Sequence, residues 1–142
     1  MPVRTSTARW EGSIGDGKGT MQVGTAWEGP YSAPSRFESA DGTNPEELLG
    51  AAHAGCFSMA LAAALTRAGT PPTRIETSAA VHIEKGEDGW EVTRIDLTTE
   101  GEVPGVDQGA FQEAAEGAKA GCPVSKALAS VGEITLQAKL VG

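Results

Sequence analysis

Cys56 and Cys122 are the only cysteines in the chain, and their settings decide what chemistry is open to it. Cys122 stands in Gly121-Cys122-Pro123, where one helix is expected to stop and another to restart, and a thiol near a helix N-terminus has its thiolate stabilised. Cys56 falls in the middle of a long apolar run, where burial leaves a thiol inert unless a cation is brought to it. Intrinsic arguments therefore favour Cys122 as the reactive residue, with two buried and unreactive cysteines as the plain alternative. A metal site is a third reading, because His53-x-x-Cys56 puts two ligand types on one helix face and Cys122 with His82 could complete four. Its signal is thin, since the chain has neither a Cys-x-x-Cys nor a His-x-x-x-His pair. The spacing of His53 and Cys56 also permits a Cys–His nucleophile pair, although a packed helix histidine has the same signature.

The elements that must position these residues can be read from punctuation and periodicity. Thr43-Asn44-Pro45-Glu46-Glu47 carries a Thr-x-x-Glu capping pattern and predicts a helix start. That helix runs through Leu48 to Leu65 and stops at Ala68-Gly69, with Pro71-Pro72 beyond. Leu48 to Leu65 holds no charged residue, and about 27 Å of uncharged helix makes a membrane span the first rival. The run is rich in Ala and interrupted by Gly50, His53, Gly55 and Ser58, without an aromatic belt or flanking cationic cluster. A helix apolar on every side needs protein on every side, so a second copy of the chain is expected to cover part of it.

Before this helix, Arg4 to Glu11, Lys18 to Thr25 and a run around Ser35-Arg36-Phe37-Glu38 read as three short antiparallel strands. After it, Arg74 to Glu84 alternates and turns at Gly86-Glu87-Asp88-Gly89 into Trp90 to Thr99. The alternation slips between Val92 and Ile95, as at a bulge. Val103 to Asp107 breaks the strand, Phe111 to Ala120 reads as a second helix, and a short helix follows from Pro123 through Leu128. Ile134, Leu136, Ala138 and Leu140 alternate as a last strand. The order of strands and separated helices is α+β.

With 142 residues, the chain is expected to form one domain, residues 1–142. A net charge of −8 argues against nucleic acid and against anionic membranes as partners. The opening Met-Pro-Val-Arg-Thr-Ser-Thr-Ala-Arg-Trp has no apolar stretch before a small-residue cleavage site, so a cytoplasmic location is expected. In that reducing compartment a static disulfide is disfavoured.

Gly-Thr-Asn-Pro-Glu-Glu-Leu-Leu-Gly-Ala-Ala-His-Ala-Gly-Cys-Phe-Ser-Met-Ala-Leu, residues 42 to 61, strongly resembles the signature of the OsmC family. Ala120-Gly121-Cys122-Pro123-Val124-Ser125-Lys126 is similar to that family's second-cysteine motif. Trp10-Glu11-Gly12, Arg36-Phe37-Glu38 and Val103-Pro104-Gly105 match in order, so the resemblance covers nearly the whole chain. Gly-Ala-Ala-His-Ala and Cys-Pro-Val-Ser-Lys point to the OsmC branch rather than to the sister organic hydroperoxide resistance proteins.

The resemblance implies antiparallel sheets around a long buried central helix and an intertwined homodimer with composite sites. It implies a thiol peroxidase acting on organic hydroperoxides and more weakly on hydrogen peroxide, with no metal or bound cofactor and an external dithiol as reductant. By motif, Cys56 is peroxidatic, Cys122 resolving, and Arg36 with Glu46 activates Cys56; Glu47 is the fallback for Glu46. This assignment opposes the intrinsic preference for Cys122, and Arg36 is the cation that would reconcile the two. Read from spacing alone, Glu46 is a capping acid and Arg36 a solvent-facing strand residue. Phe57 and Met59 are candidates to line a slot for the alkyl group, or else ordinary core.

Overall fold

The computed structural model describes residues 2–142, and the chain divides into two compact units, one ending at Leu48 and one beginning at Leu49. In the first unit, β1 (Thr7–Glu11), β2 (Lys18–Val23) and β3 (Trp27–Tyr31) form an antiparallel sheet in that order. Gly19 lies between Trp10 and Tyr31, whose rings pack with centroids 5.4 Å apart. A Cβ there would come within 2.5 Å of the Tyr31 ring and 2.8 Å of the Trp10 ring.

The third strand is not the one expected. Arg36 and Phe37 end a short helix, α1 (Ala33–Phe37), and the strand precedes it. Ser32 explains the difference, because its side chain accepts from the Ser35 N–H while the Ser35 hydroxyl accepts from the Ser32 N–H. That reciprocal cap, with Pro34 in the first turn where no helical N–H is lost, outweighs the weak alternation of a four-residue run.

Helix α2 (Pro45–Arg67) begins in the last residues of the first unit and continues unbroken past Gly50 into the second. Its cap is Asn44 rather than Thr43, since the Asn44 side-chain oxygen accepts from the Glu47 N–H at 2.8 Å. The Thr43 hydroxyl instead donates to the Glu47 carboxylate at 2.9 Å. The other end closes at Gly69, in the left-handed region at φ 85°, with the Thr70 N–H reaching back to the Leu65 carbonyl at 2.9 Å.

In the second unit β4 (Arg74–Gly86) and β5 (Gly89–Glu102) form the expected antiparallel hairpin, with a register shift at His82/Ile83 that leaves Thr93 extra on β5. Helix α3 (Gln108–Gly121) is capped by Asp107, and α4 (Pro123–Ala127) follows directly from Cys122. The last strand, β6 (Glu133–Leu140), joins β5 in parallel, so this sheet is mixed and not antiparallel throughout. A parallel neighbour needs a crossover, and α3 with α4 supplies it. Gln108 donates to the Ala138 carbonyl at 3.0 Å and accepts from the Leu140 N–H at 2.8 Å, fastening α3 to β6.

The core of this unit joins Phe57, Leu61 and Leu65 of α2 to Ile95 and Leu97 of β5 and to Phe111, Ala115 and Ala118 of α3. His53, Phe57, Leu61 and Leu65 recur at spacing four and bury one face of α2, each large side chain contributing about 1.5–3 kcal/mol. The other face is not buried: Ala51, Gly55, Met59 and Ala63 recur at the same spacing and are exposed. α2 has the length and hydropathy of a membrane-crossing helix, yet within this chain it is a half-covered core helix.

Candidate active site

The first unit builds an ion pair. Besides its cap, the Ser35 hydroxyl donates to the Thr43 carbonyl at 2.7 Å, and the Asn44 side chain donates to the Ser35 carbonyl at 3.1 Å. These bonds tie α1 to the segment that opens α2 and set Arg36 against Glu46. Arg36 Nε donates to Glu46 Oε1 at 3.0 Å and Nη2 to Oε2 at 2.9 Å, a two-pronged contact that fixes the guanidinium plane. Glu46 is buried, whereas about a third of the Arg36 side chain stays open. The guanidinium also lies over the Phe37 ring, 5.1 Å from its centroid. Glu47 is engaged by Thr43 and Asn44, so the carboxylate holding Arg36 is that of Glu46. Beside Arg36, a cavity of about 230 Å³ is walled by Trp10, Ile14, Tyr31 and Phe37. Phe57, one of the two candidates for such a wall, is fully buried core, and Met59 is 76% exposed.

The second unit holds both thiols. They are free, and from positions 66 residues apart they come close enough for each to shift the ionisation of the other. Cys56 is half-buried on α2, and Cys122 is fully buried at the junction of α3 and α4. Burial raises the Cys56 pKa, and its contact with Cys122 raises it further. Burial opposes ionisation of Cys122 as well, but there the Cys56 thiol, the N–H and hydroxyl of Ser125 and the N–H of Val124 together outweigh it and bring the pKa down. Taken alone, this unit makes Cys122 the better acid, the order that its place beside Pro123 suggested.

His53 does not pair with Cys56. Its Nε2 meets the Ser125 hydroxyl at 2.7 Å, from 72 residues away, and its Nδ1 has no hydrogen-bond partner among the described residues. Burial lowers its pKa. Ser125 was not singled out from the sequence; its place three residues after Cys122, within reach of the sulfur, is the one local signal. His82 is engaged on β4 by Asp96 at 2.8 Å. Asp96 is itself held well below the usual carboxylate range by Thr135, Arg94 and His82. Among the described residues no three His, Cys, Asp or Glu side chains converge on a possible metal position, and the four considered for one are not gathered.

An α+β fold that holds two free, interacting thiols in one unit offers a site for cysteine redox chemistry. Residues 38–137 match the family model described as OsmC-like protein, and the chain belongs to that family. It is 50% identical over 135 residues, 94% of its own length and 93% of the relative's, to Peroxiredoxin OsmC of Escherichia coli (strain K12). Among solved structures, the organic hydroperoxide resistance protein OhrB of Bacillus subtilis superposes with a TM-score of 0.69 at 25% identity, covering 96% of this chain and 98% of that one. An OsmC-like protein of Mycoplasma pneumoniae shares the fold at a TM-score of 0.79 and 17% identity, with 99% of each chain covered.

Proposed function

We propose that Cys56 reduces organic hydroperoxides, and hydrogen peroxide more weakly, with Cys122 resolving the oxidised product, in defence against oxidative or osmotic stress. The chain is a thiol-dependent peroxidase, as its identity to Peroxiredoxin OsmC over nearly the full length of both chains supports. The observation that carries the finer reading is the pair of free, interacting thiols in the second unit, together with a fork-held arginine in the first. The Cys56 thiolate attacks one peroxide oxygen; the O–O bond breaks, an alcohol leaves after taking a proton, and Cys56 becomes a sulfenic acid. Cys122 then displaces the hydroxyl as water and forms a disulfide, which an external dithiol reopens by exchange. Two electrons pass from thiol to peroxide and are restored by the dithiol. The cavity walled by Trp10, Ile14, Tyr31 and Phe37 suits an apolar alkyl group whose peroxide lies by Arg36.

Activation of Cys56 requires a cation, and the proposed source is a second copy of the chain. Ten residues of straight helix set Glu46 and Cys56 about 15 Å apart along the axis and about 80° apart in direction. α2 has no break between them. Two copies of α2 packed antiparallel and crossing near the exposed Ala51 would bring the N-terminal turn of one to the cysteine of the other, since Glu46 and Cys56 lie equally far to either side of that position. Arg36 and Glu46 then serve in trans, and both cysteines of a site come from one chain.

Thiol titration before and after a few equivalents of an organic hydroperoxide tests the reading. Loss of both thiols, reversed by a dithiol, is expected. Unchanged thiols would instead describe a non-catalytic ligand-binding dimer with idle cysteines.

A further inference from the structure

His53 is fully buried, its only hydrogen-bond partner among the described residues is the Ser125 hydroxyl, and its Nδ1 is sealed from solvent with no partner at all. The peroxidase chemistry does not use it. A protonated imidazole here would bury a charge and leave one of its two N–H groups unpaired, so the ring is neutral. Of the two neutral forms, a proton on Nδ1 would orphan a buried donor, whereas a proton on Nε2 leaves only a bare lone pair there, the less costly omission. With the proton on Nε2, His53 donates and the Ser125 oxygen accepts. The single proton of that hydroxyl is then left to turn toward Cys122, which caps the same short helix three residues earlier and whose thiolate the hydroxyl supports.

We propose that His53 is a positioning residue for the resolving step: its Nε2–H holds the Ser125 oxygen so that the Ser125 proton points at Cys122 Sγ and supports the thiolate that attacks oxidised Cys56. In that attack the Cys122–Cys56 bond forms as the Cys56 S–O bond breaks, and the departing hydroxide takes up a proton to leave as water. The proton lost by Cys122 passes to that oxygen or to solvent. His53 and Ser125 orient and keep their protons throughout. The titratable groups that face Cys122 are Cys56 directly and His53 through Ser125, both on α2; α4 contributes the N–H groups of Val124 and Ser125.

The role in resolution rests on the peroxidase reading, but the contact can be tested without peroxide. In a Cys56→Ser background Cys122 is the sole thiol, and its ionisation is followed by ultraviolet thiolate absorbance against pH. Ser125→Ala is expected to raise the midpoint by about one pH unit, a tenfold change in ionisation constant. His53→Phe should raise it in the same direction, the double variant no further than Ser125→Ala alone, and His53→Gln should restore most of the shift through its side-chain amide N–H. With both cysteines present, Ser125→Ala should slow disulfide formation from the sulfenic acid about tenfold near neutral pH, in step with the lost thiolate. An unmoved midpoint in Ser125→Ala, or additive shifts in the double variant, would overturn the proposal even if the protein reduces peroxides. Should His53→Phe fail to fold, nitrogen-15 spectra of the parent protein decide it: the Nε2–H form between pH 6 and 8 is required, and the Nδ1–H form contradicts it.

Discussion

The two units of the chain hold different parts of the proposed reaction. Below Leu49 lies a charged, rigid device with no thiol: Arg36 gripped at both prongs by Glu46 beside an apolar cavity. Above it lie both thiols in a neutral network, where Cys122 gains more stabilising contacts than Cys56, which has the Val124 N–H alone and is left the weaker acid. The contrast teaches that the second unit supplies Cys56 with no cation of its own, so the proposed attack by Cys56 depends on a charge brought from elsewhere. A cation must be added before Cys56 leads, and the first unit carries one already fixed in orientation.

The largest expected effect removes a sulfur. Cys56→Ser should abolish peroxide reduction, while Cys122→Ser should allow one oxidation of Cys56 and then stall, as counted by product formed per subunit. Full turnover by Cys56→Ser would reverse the roles of the two cysteines. Next in size, Arg36→Ala should slow Cys56 oxidation by roughly 10- to 1000-fold near neutral pH, the span of a one- to three-unit rise in thiol pKa when an adjacent cation is lost. Mass-resolved alkylation of Cys56 against pH would show that rise, and an unmoved titration would mean that Arg36 is not the activating charge.

The smallest effect concerns stability and belongs to the second unit alone. Burial depresses the His53 pKa, so at acid pH the unfolded chain binds a proton that the folded chain refuses. Stability is then complete above the ordinary histidine pKa of about 6.5 and falls as pH drops from there toward the folded value, at no more than about 1.4 kcal/mol per pH unit. Denaturant melts of the parent protein and of His53→Gln between pH 5 and 7.5 should diverge on the acid side, the variant showing the shallower loss.

Much of this arrangement was legible before the structure. The limits of α2, the Cys122-Pro123 junction, the slipped hairpin and the final strand all carry local punctuation or period-two alternation, which act over a few residues and survive packing. The errors fall where two local signals compete or where the deciding partner is remote. Ser35 to Glu38 alternates like a strand, but the Ser32 and Ser35 hydroxyls cap a helix instead. Thr43 and Asn44 can both cap, and Asn44 wins because the Thr43 hydroxyl turns to Glu47. Alternation in β6 reports a buried face and says nothing of direction, so its parallel pairing with β5 was hidden. The sites divide the same way: residue types and motif resemblance mark Cys56, Cys122, Arg36 and Glu46, whereas the His53–Ser125 contact spans 72 residues and belongs to the packing of α4 on α2.

The central claim is that the charged device of one copy serves the thiols of another, and a complementation experiment tests it most directly. Cys56→Ser and Glu46→Ala chains, each expected to be inactive or nearly so alone, are unfolded together and refolded as a mixture, and peroxidase activity is measured on the heterodimers that the account expects to form. If Glu46 acts in trans, each heterodimer regains one working site, in which the intact Cys56 of one chain meets the intact Arg36–Glu46 pair of the other. Heterodimers that form but stay inactive would place Glu46 beside the cysteine of its own chain or outside the site, and would contradict the account.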